Sequence, residues 1–318
     1  MIWRLGSKRI GLRLPEKELN SLWKKSGGFF CFTDSQMEII QDLKVMHHWA
    51  DTQRLAGRTI ALVPTMGFFH SGHLNLMNHG REIADKVVVS LFVNPLQFGA
   101  GEDFEKYPRD FERDRQLADE AEVDILFTPR NQDLYPEDYQ TCVSVERVTQ
   151  GLCGASRPEH FLGVATVVCK LFQLVKPHKA IFGLKDYQQV VTIKQMVRDL
   201  NMDLEVIGWP TVREIDGLAM SSRNVYLSSE DRMAALSLSQ SLSAAQKRCR
   251  EGEREAGSIL AEVIRILTRH PGNRIDYAKI VHPHTLKELE TINPRGILAL
   301  AVRVGKTRLI DNCLLEVD

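Results

Sequence analysis

Short unbroken apolar runs alternate along the chain with stretches of helical spacing. "TIALVPT" (Thr59–Thr65), "KVVVSLFVN" and "DILFTP" are such runs. Their length and branched residues predict strands buried on both faces. Between them, "LNLMNHGREIADK" turns Leu74, Met77, Ile83 and Ala84 to one side at helical intervals, and "FERDRQLADEAE" reads as a charged helix. "VATVVCKLFQLVK" and "DYQQVVTIKQMVRDL" are two more helices, followed by the strands "KAIFG" and "LEVIGW". The alternation predicts an α/β fold: a Rossmann-like parallel sheet with helices on both faces, binding its ligand beyond the carboxyl ends of the strands.

From about Trp209 the texture changes. "SSEDRMAALSLSQSLSAAQKRCR" predicts a long helix with Ser229 as its N-cap, and "GSILAEVIRILTRH" a second. "RIDYAKIVH", "ILALAVRV" and "TRLIDNCLLE" read as strands, so a smaller α+β C-terminal domain is expected. The 318 residues exceed what one core usually serves. The division expected is 36–208 for the Rossmann-like domain and 209–318 for a C-terminal lid. Residues 1–35 are basic, weakly patterned and without the apolar core of a secretory signal. They are expected to be a dispensable extension.

Charge narrows the function classes. Lys plus Arg and Asp plus Glu are both 41, so no bulk field favours nucleic acid. The apolar runs are too short to cross a bilayer. Six cysteines without a Cys-x-x-Cys spacing suggest reduced thiols, not a zinc site or a disulfide frame. A cytoplasmic enzyme is expected, with organellar targeting by the extension as the minor alternative.

Four stretches carry candidate chemistry. "VPTMGFFHSGHLNLM" places His70 and His73 where a buried strand gives way to a helix. The N–H groups and partial positive charge of a helix start favour phosphate there, and Gly72 lets a ligand approach the backbone. The blander alternative has one histidine capping the helix and the other packing. "GLAMSSRN" lines up Ser221, Ser222 and Arg223, which suit a polyphosphate or an ordinary solvated turn. In "FGLKDYQQ", Lys185 suits phosphate, and Asp186 suits either ribose hydroxyls or an N-cap. In "FVNPLQF", Asn94 and Gln97 either read a hydroxylated substrate or satisfy the turn at Pro95.

Taken in order, "PTMGFFHSGH", "FVNPLQFG", "GASRPEHFLGVATVVCKLF", "KDYQQ", "PTVREIDGLAMSSRN" and "AVRVGKTRLIDN" resemble the pantoate–β-alanine ligase family of the nucleotidylyltransferase superfamily. The resemblance runs from about Asp34 to the C-terminus. It implies an enzyme that joins pantoate to β-alanine through pantoyl adenylate, using ATP with Mg²⁺ and releasing AMP and pyrophosphate. It also implies a homodimer. The same carry-over makes His70, His73, Lys185, Ser221, Ser222 and Arg223 catalytic. ATP contacts are implied for Met66, Gly67, Gly72, Gly183, Leu184, Asp186, Val212 and Met220 beside those six. Met66, Asn94, Gln97 and Gln189 are implied for pantoate and β-alanine, and no protein metal ligand is implied. Leu184, Glu159 and Leu162 depart from the family pattern. A plain nucleotidylyltransferase of the same fold is the competing reading; it would keep the nucleoside monophosphate on its product.

Overall fold

Six parallel strands form one sheet in the computed structural model, which describes residues 37–99 and 101–317. They are β1 (Glu38–Ile40), β2 (Ile60–Thr65), β3 (Lys86–Leu91), β4 (Ile125–Phe127), β5 (Lys179–Gly183) and β6 (Glu205–Trp209), in the order β1-β4-β3-β2-β5-β6. The extension at residues 1–35 lies outside the described residues. Helices α1 (Leu43–Leu55), α2 (Ser71–Ile83), α3 (Phe111–Glu120), α6 (His160–Val175) and α7 (Tyr187–Asp199) cover the faces, with two one-turn helices, α4 (Asn131–Leu134) and α5 (Cys153–Ser156), between them. Successive side chains of β2 serve opposite faces. Ile60 and Leu62 join Trp49, Leu171, Phe172 and Ile193. Ala61 and Val63 join Leu76, Met77, Val89 and Ile181. Burial on both sides explains why these strands read as continuous apolar runs.

The sheet opens where its topology reverses. β2 lies between β3 and β5, and the chain leaves it in one direction before returning on the other side. β2 pairs with β5 only at Ala61 and Leu62, whereas β5 stays paired with β6 as far as Gly183. Two residues past Leu62 stands Pro64, which has no N–H to donate. The parted ends of β2 and β5 leave a crevice, as expected at such a switch point.

A second sheet of three antiparallel strands, β7 (Asn273–Val281), β8 (Arg295–Val304) and β9 (Thr307–Glu316), packs one face against α8 (Ser229–Arg250) and α9 (Ala256–Leu267). Tyr277, Val281, Ile297 and Ala299 meet Val148, Leu152 and Val191 in a separate apolar cluster. Among the described residues no helix is long and apolar enough to cross a membrane.

Local details differ from expectation in three places. The cap of α8 is Ser228, whose hydroxyl accepts from Asp231 N at 3.1 Å; Ser229 is the first helical residue. In α2 the fully inward positions are Leu76, Met77 and Gly80, while Leu74 and Ile83 lie at the margin of the core. Strand β1 and helix α1 carry no counterpart in the sequence reading. β1 is a three-residue edge strand, too short to show a period, and α1 starts at an Asp42 cap.

Candidate active site

The two histidines sit as the backbone of the β2–α2 junction dictates. His70 is the N-cap of α2, its Nδ1 accepting from Gly72 N at 3.1 Å. His73 occupies the third helical position and reciprocates: its Nδ1 accepts from His70 N at 3.3 Å. This is a capping box built from imidazoles. A Cβ at residue 72 would lie 2.8 Å from the His70 ring, so glycine makes room for the cap. The capping alternative is therefore observed, for both rings, and it has a chemical consequence. With each Nδ1 accepting a backbone N–H, the ring proton is on Nε2. The rings stack with centroids 4.1 Å apart. Burial first, then Lys185, pulls the pKa of His70 down to about 4 against the pull of Glu214. Burial, His70 and Lys185 hold His73 well below the usual imidazole range. Near neutral pH both are uncharged donors.

The loop that delivers them is held from a distance. Asp114 of α3, 1% exposed, accepts from Phe68 N and Phe69 N, both at 2.6 Å. Gly67 has φ +86°, and a Cβ there would press on the Asp114 carboxylate at 2.9 Å. Burial outweighs these two hydrogen bonds and raises the Asp114 pKa.

After β3, the turn at Pro95–Gln97 forms the next wall. Gln97 Nε2 contacts Met66 Sδ at 2.9 Å, and its Oε1 accepts from Asn94 Nδ2 at 3.2 Å. Asn94 also donates to Gly163 O and accepts from Tyr135 OH, so its polar atoms face protein and it orients the glutamine. Backbone O of Gln97 accepts from Arg157 Nη2 at 3.1 Å and from His160 Nδ1 at 2.9 Å. His160 thus carries its proton on Nδ1, the opposite tautomer to the other pair. Burial, helped by Arg157, pulls its pKa to about 4.

The cationic side comes from three segments. Lys185 and Asp186 lie in the turn Leu184–Asp186 after β5, and Lys185 Nζ makes no hydrogen bond or ion pair among the described residues. Ser221 caps the turn Ser222–Tyr226 by accepting from Arg223 N, and Ser222 donates to Phe68 O at 3.4 Å. Arg223 makes a forked pair with Asp103, and Arg157 makes another with Glu102. Burial pushes the Asp103 carboxyl up, but Arg223 outweighs it and the net shift is downward.

One cavity of about 780 Å³ collects these groups. Met66, His70, Gly72 and His73 line it from the first segment, Asn94 and Gln97 from the second wall, and Gln189 from the first turn of α7. Gly183, Lys185, Asp186, Val212, Met220 and Ser221–Arg223 complete the set. Two anticipated residues are not on its wall. Gly67 makes the turn before it, and Leu184 packs inward, where a Cβ at Gly208 would meet it at 2.7 Å. Of the other departures from the family pattern, Glu159 precedes α6 without a capping bond and Leu162 is 37% exposed. Glu102, Asp103, Tyr107, Arg157 and His160 also line the cavity and were not singled out from the sequence. The stretch "SRPEH" holds two of them, and its mixed charge beside a helix start was the available signal.

Known proteins resemble this chain over most of its length. The model of the family described as pantoate-beta-alanine ligase matches residues 38–314. The chain is 58% identical over 276 residues to a pantothenate synthetase of Syntrophus aciditrophicus (strain SB), covering 87% of this chain and 96% of that protein. It is 54% identical over 279 residues to one from Geobacter sulfurreducens, covering 88% and 99%. The crystal structure of pantothenate synthetase from Thermus thermophilus superposes with a TM-score of 0.82 at 46% identity, covering 87% and 99% of the two chains. A pantoate-beta-alanine ligase from Francisella tularensis, complexed with beta-gamma ATP and beta-alanine, superposes with a TM-score of 0.72 at 34% identity, covering 87% and 97%.

Proposed function

The chain belongs to the pantoate–β-alanine ligase family, amide-forming ligases that use ATP, and on that premise we propose that it makes pantothenate in two steps at the cavity described. In the first, a pantoate carboxylate oxygen attacks the α-phosphorus of ATP, the bond to the β-phosphate oxygen breaks, and pyrophosphate leaves. In the second, the neutral amine of β-alanine attacks the acyl carbon of pantoyl adenylate, the C–O bond to phosphate breaks, and AMP leaves as the amine proton is lost.

The chain needs no nucleophile of its own, because the substrates supply both. Its task is alignment and the stabilisation of charge on the departing groups. The observation that carries this reading is the pair of uncharged imidazoles with Nε2 protonated, set beside Lys185 in the same cavity as Ser221–Arg223. Neutral donors hydrogen-bond phosphate oxygens without drawing off the proton they hold. In the same reading Gln97 and Gln189 hold the pantoate hydroxyls, Asp186 faces the ribose, and Val212 and Met220 border the nucleotide. Among the described residues no group of three or more His, Cys, Asp or Glu side chains is placed to hold a metal ion. The lysine, arginine and hydroxyls fit a nucleotide that brings Mg²⁺ on its phosphates, where the ion would offset negative charge. Residues 209–318 acting as a closing lid, a homodimer and a cytoplasmic location are carried on the family resemblance as parts of this proposal.

The test is AMP formation from ATP, with pantoate and β-alanine supplied separately and together. AMP appearing only with both, or a nucleotidyl-pantoate trapped with pantoate alone, supports the reading. A product that retains the nucleoside monophosphate in the presence of β-alanine would instead mark a plain nucleotidylyltransferase.

A further inference from the structure

Lys185 has no side-chain partner among the described residues, so its aim depends on how its backbone is held. The turn Leu184–Asp186 has no side-chain cap, yet two of its carbonyls converge on one group. Asn312 Nδ2, from β9 in the smaller sheet, donates to Leu184 O and to Lys185 O, each at 2.9 Å. An amide NH₂ is suited to this because it offers two N–H donors from one nitrogen. The neighbouring residue secures the same strand to the other phosphate-facing segment. Asp311, 2% exposed, takes Arg213 in a fork at 2.7 and 2.9 Å. Arg213 pairs across to Ala219, just before Met220–Arg223. Consecutive residues of β9 thus brace the Lys185 turn and the approach to Ser221–Arg223.

We infer that Asn312 is a positioning residue for adenylate formation, acting through Lys185 by holding the two carbonyls of its turn. The inference rests on the proposed role of Lys185 toward phosphate. Asn312 itself borders the cavity, but both of its amide hydrogens are committed to the carbonyls of the lysine turn, and it is through them that it holds the lysine.

A double-mutant cycle tests it. Asn312→Ala should lower kcat for AMP formation about tenfold to a hundredfold, the scale of a small misplacement of a catalytic group, with KM for pantoate nearly unchanged. In a Lys185→Ala background the same substitution should change kcat by less than about threefold. Calorimetry with pyrophosphate on the same four proteins reads the coupling without turnover. Equal losses in both backgrounds, by both readouts, would overturn the inference, since a purely structural asparagine lowers the active fraction whether or not the lysine is present. If the alanine variant does not yield folded protein, Asn312→Ser, which keeps a shorter donor, goes through the same cycle. Absence of AMP from the unsubstituted chain is the separate result that counts against the proposed function.

Discussion

Asp103 and Arg223 meet fork to fork, with Nε–Oδ2 at 2.8 Å and Nη2–Oδ1 at 2.9 Å. The guanidinium also lies over the Tyr107 ring, 5.7 Å from its centroid. One residue earlier, Glu102 grips Arg157 in the same way, at 2.6 Å on both arms. The acidic pair of one loop therefore occupies two arginines of the cavity, and a carboxylate stands against the side chain proposed to meet phosphate.

If phosphate must displace that carboxylate, Asp103→Asn should tighten ATP and pyrophosphate binding. The pair is partly exposed, so the gain should be about threefold to fivefold, the scale of such ion pairs. Isothermal calorimetry on the ligand-free protein measures it. Weaker binding in the variant would mean that Asp103 holds Arg223 in its working position instead of competing for it.

His73→Ala should separate two contributions. Losing the Nδ1 acceptor of the capping box should lower stability by about 0.5–2 kcal/mol, seen as a lower melting temperature. Losing the Nε2 donor should slow adenylate formation by about two to three orders of magnitude. Conversion of supplied pantoyl adenylate should suffer less, because that step releases AMP and not pyrophosphate. Single-turnover measurements of both half-reactions give the comparison, and normal adenylation in the folded fraction would leave His73 a capping residue alone.

Stability should depend on pH through the same imidazoles. His70 and His160 have folded pKa values near 4, below the ordinary value of 6.5. In the window between, the unfolded chain binds more protons, so their contribution is full above about 6.5 and declines as pH falls toward 4. Melting temperature should therefore drop between pH 7 and 5, and His70→Asn, which keeps a capping side chain, should flatten the slope. An unchanged slope in that variant would show that His70 does not carry the effect.

Gly163 sets the position of the glutamine wall. A Cβ there would collide with Leu96 O and lie 2.6 Å from Gln97 N. Gly163→Ala should displace the Asn94–Gln97 turn and raise KM for pantoate while leaving ATP binding nearly intact. Gln97→Ala should raise the same KM about tenfold to a hundredfold, as when a hydroxyl loses its amide partner. Steady-state kinetics with each substrate varied distinguishes this from a loss of ATP affinity.

Much of what depends on near neighbours was legible in the residues, although α1 with its Asp42 cap was missed and the cap of α8 was placed one residue late. Apolar runs and helical spacing gave the parallel sheet, and the strand-to-helix junction located His70 and His73, because capping is decided within four residues of chain. Even the tautomer follows from that local box. Asp114 on the Phe68–Phe69 amides, Asp103 on Arg223, Arg157 and His160 on the Gln97 carbonyl, and Asn312 on the Lys185 turn were not legible. Each joins segments between 45 and 128 residues apart. No period or local propensity encodes such a meeting. It is created by the tertiary fold, which brings polar groups from distant segments to partners that satisfy them.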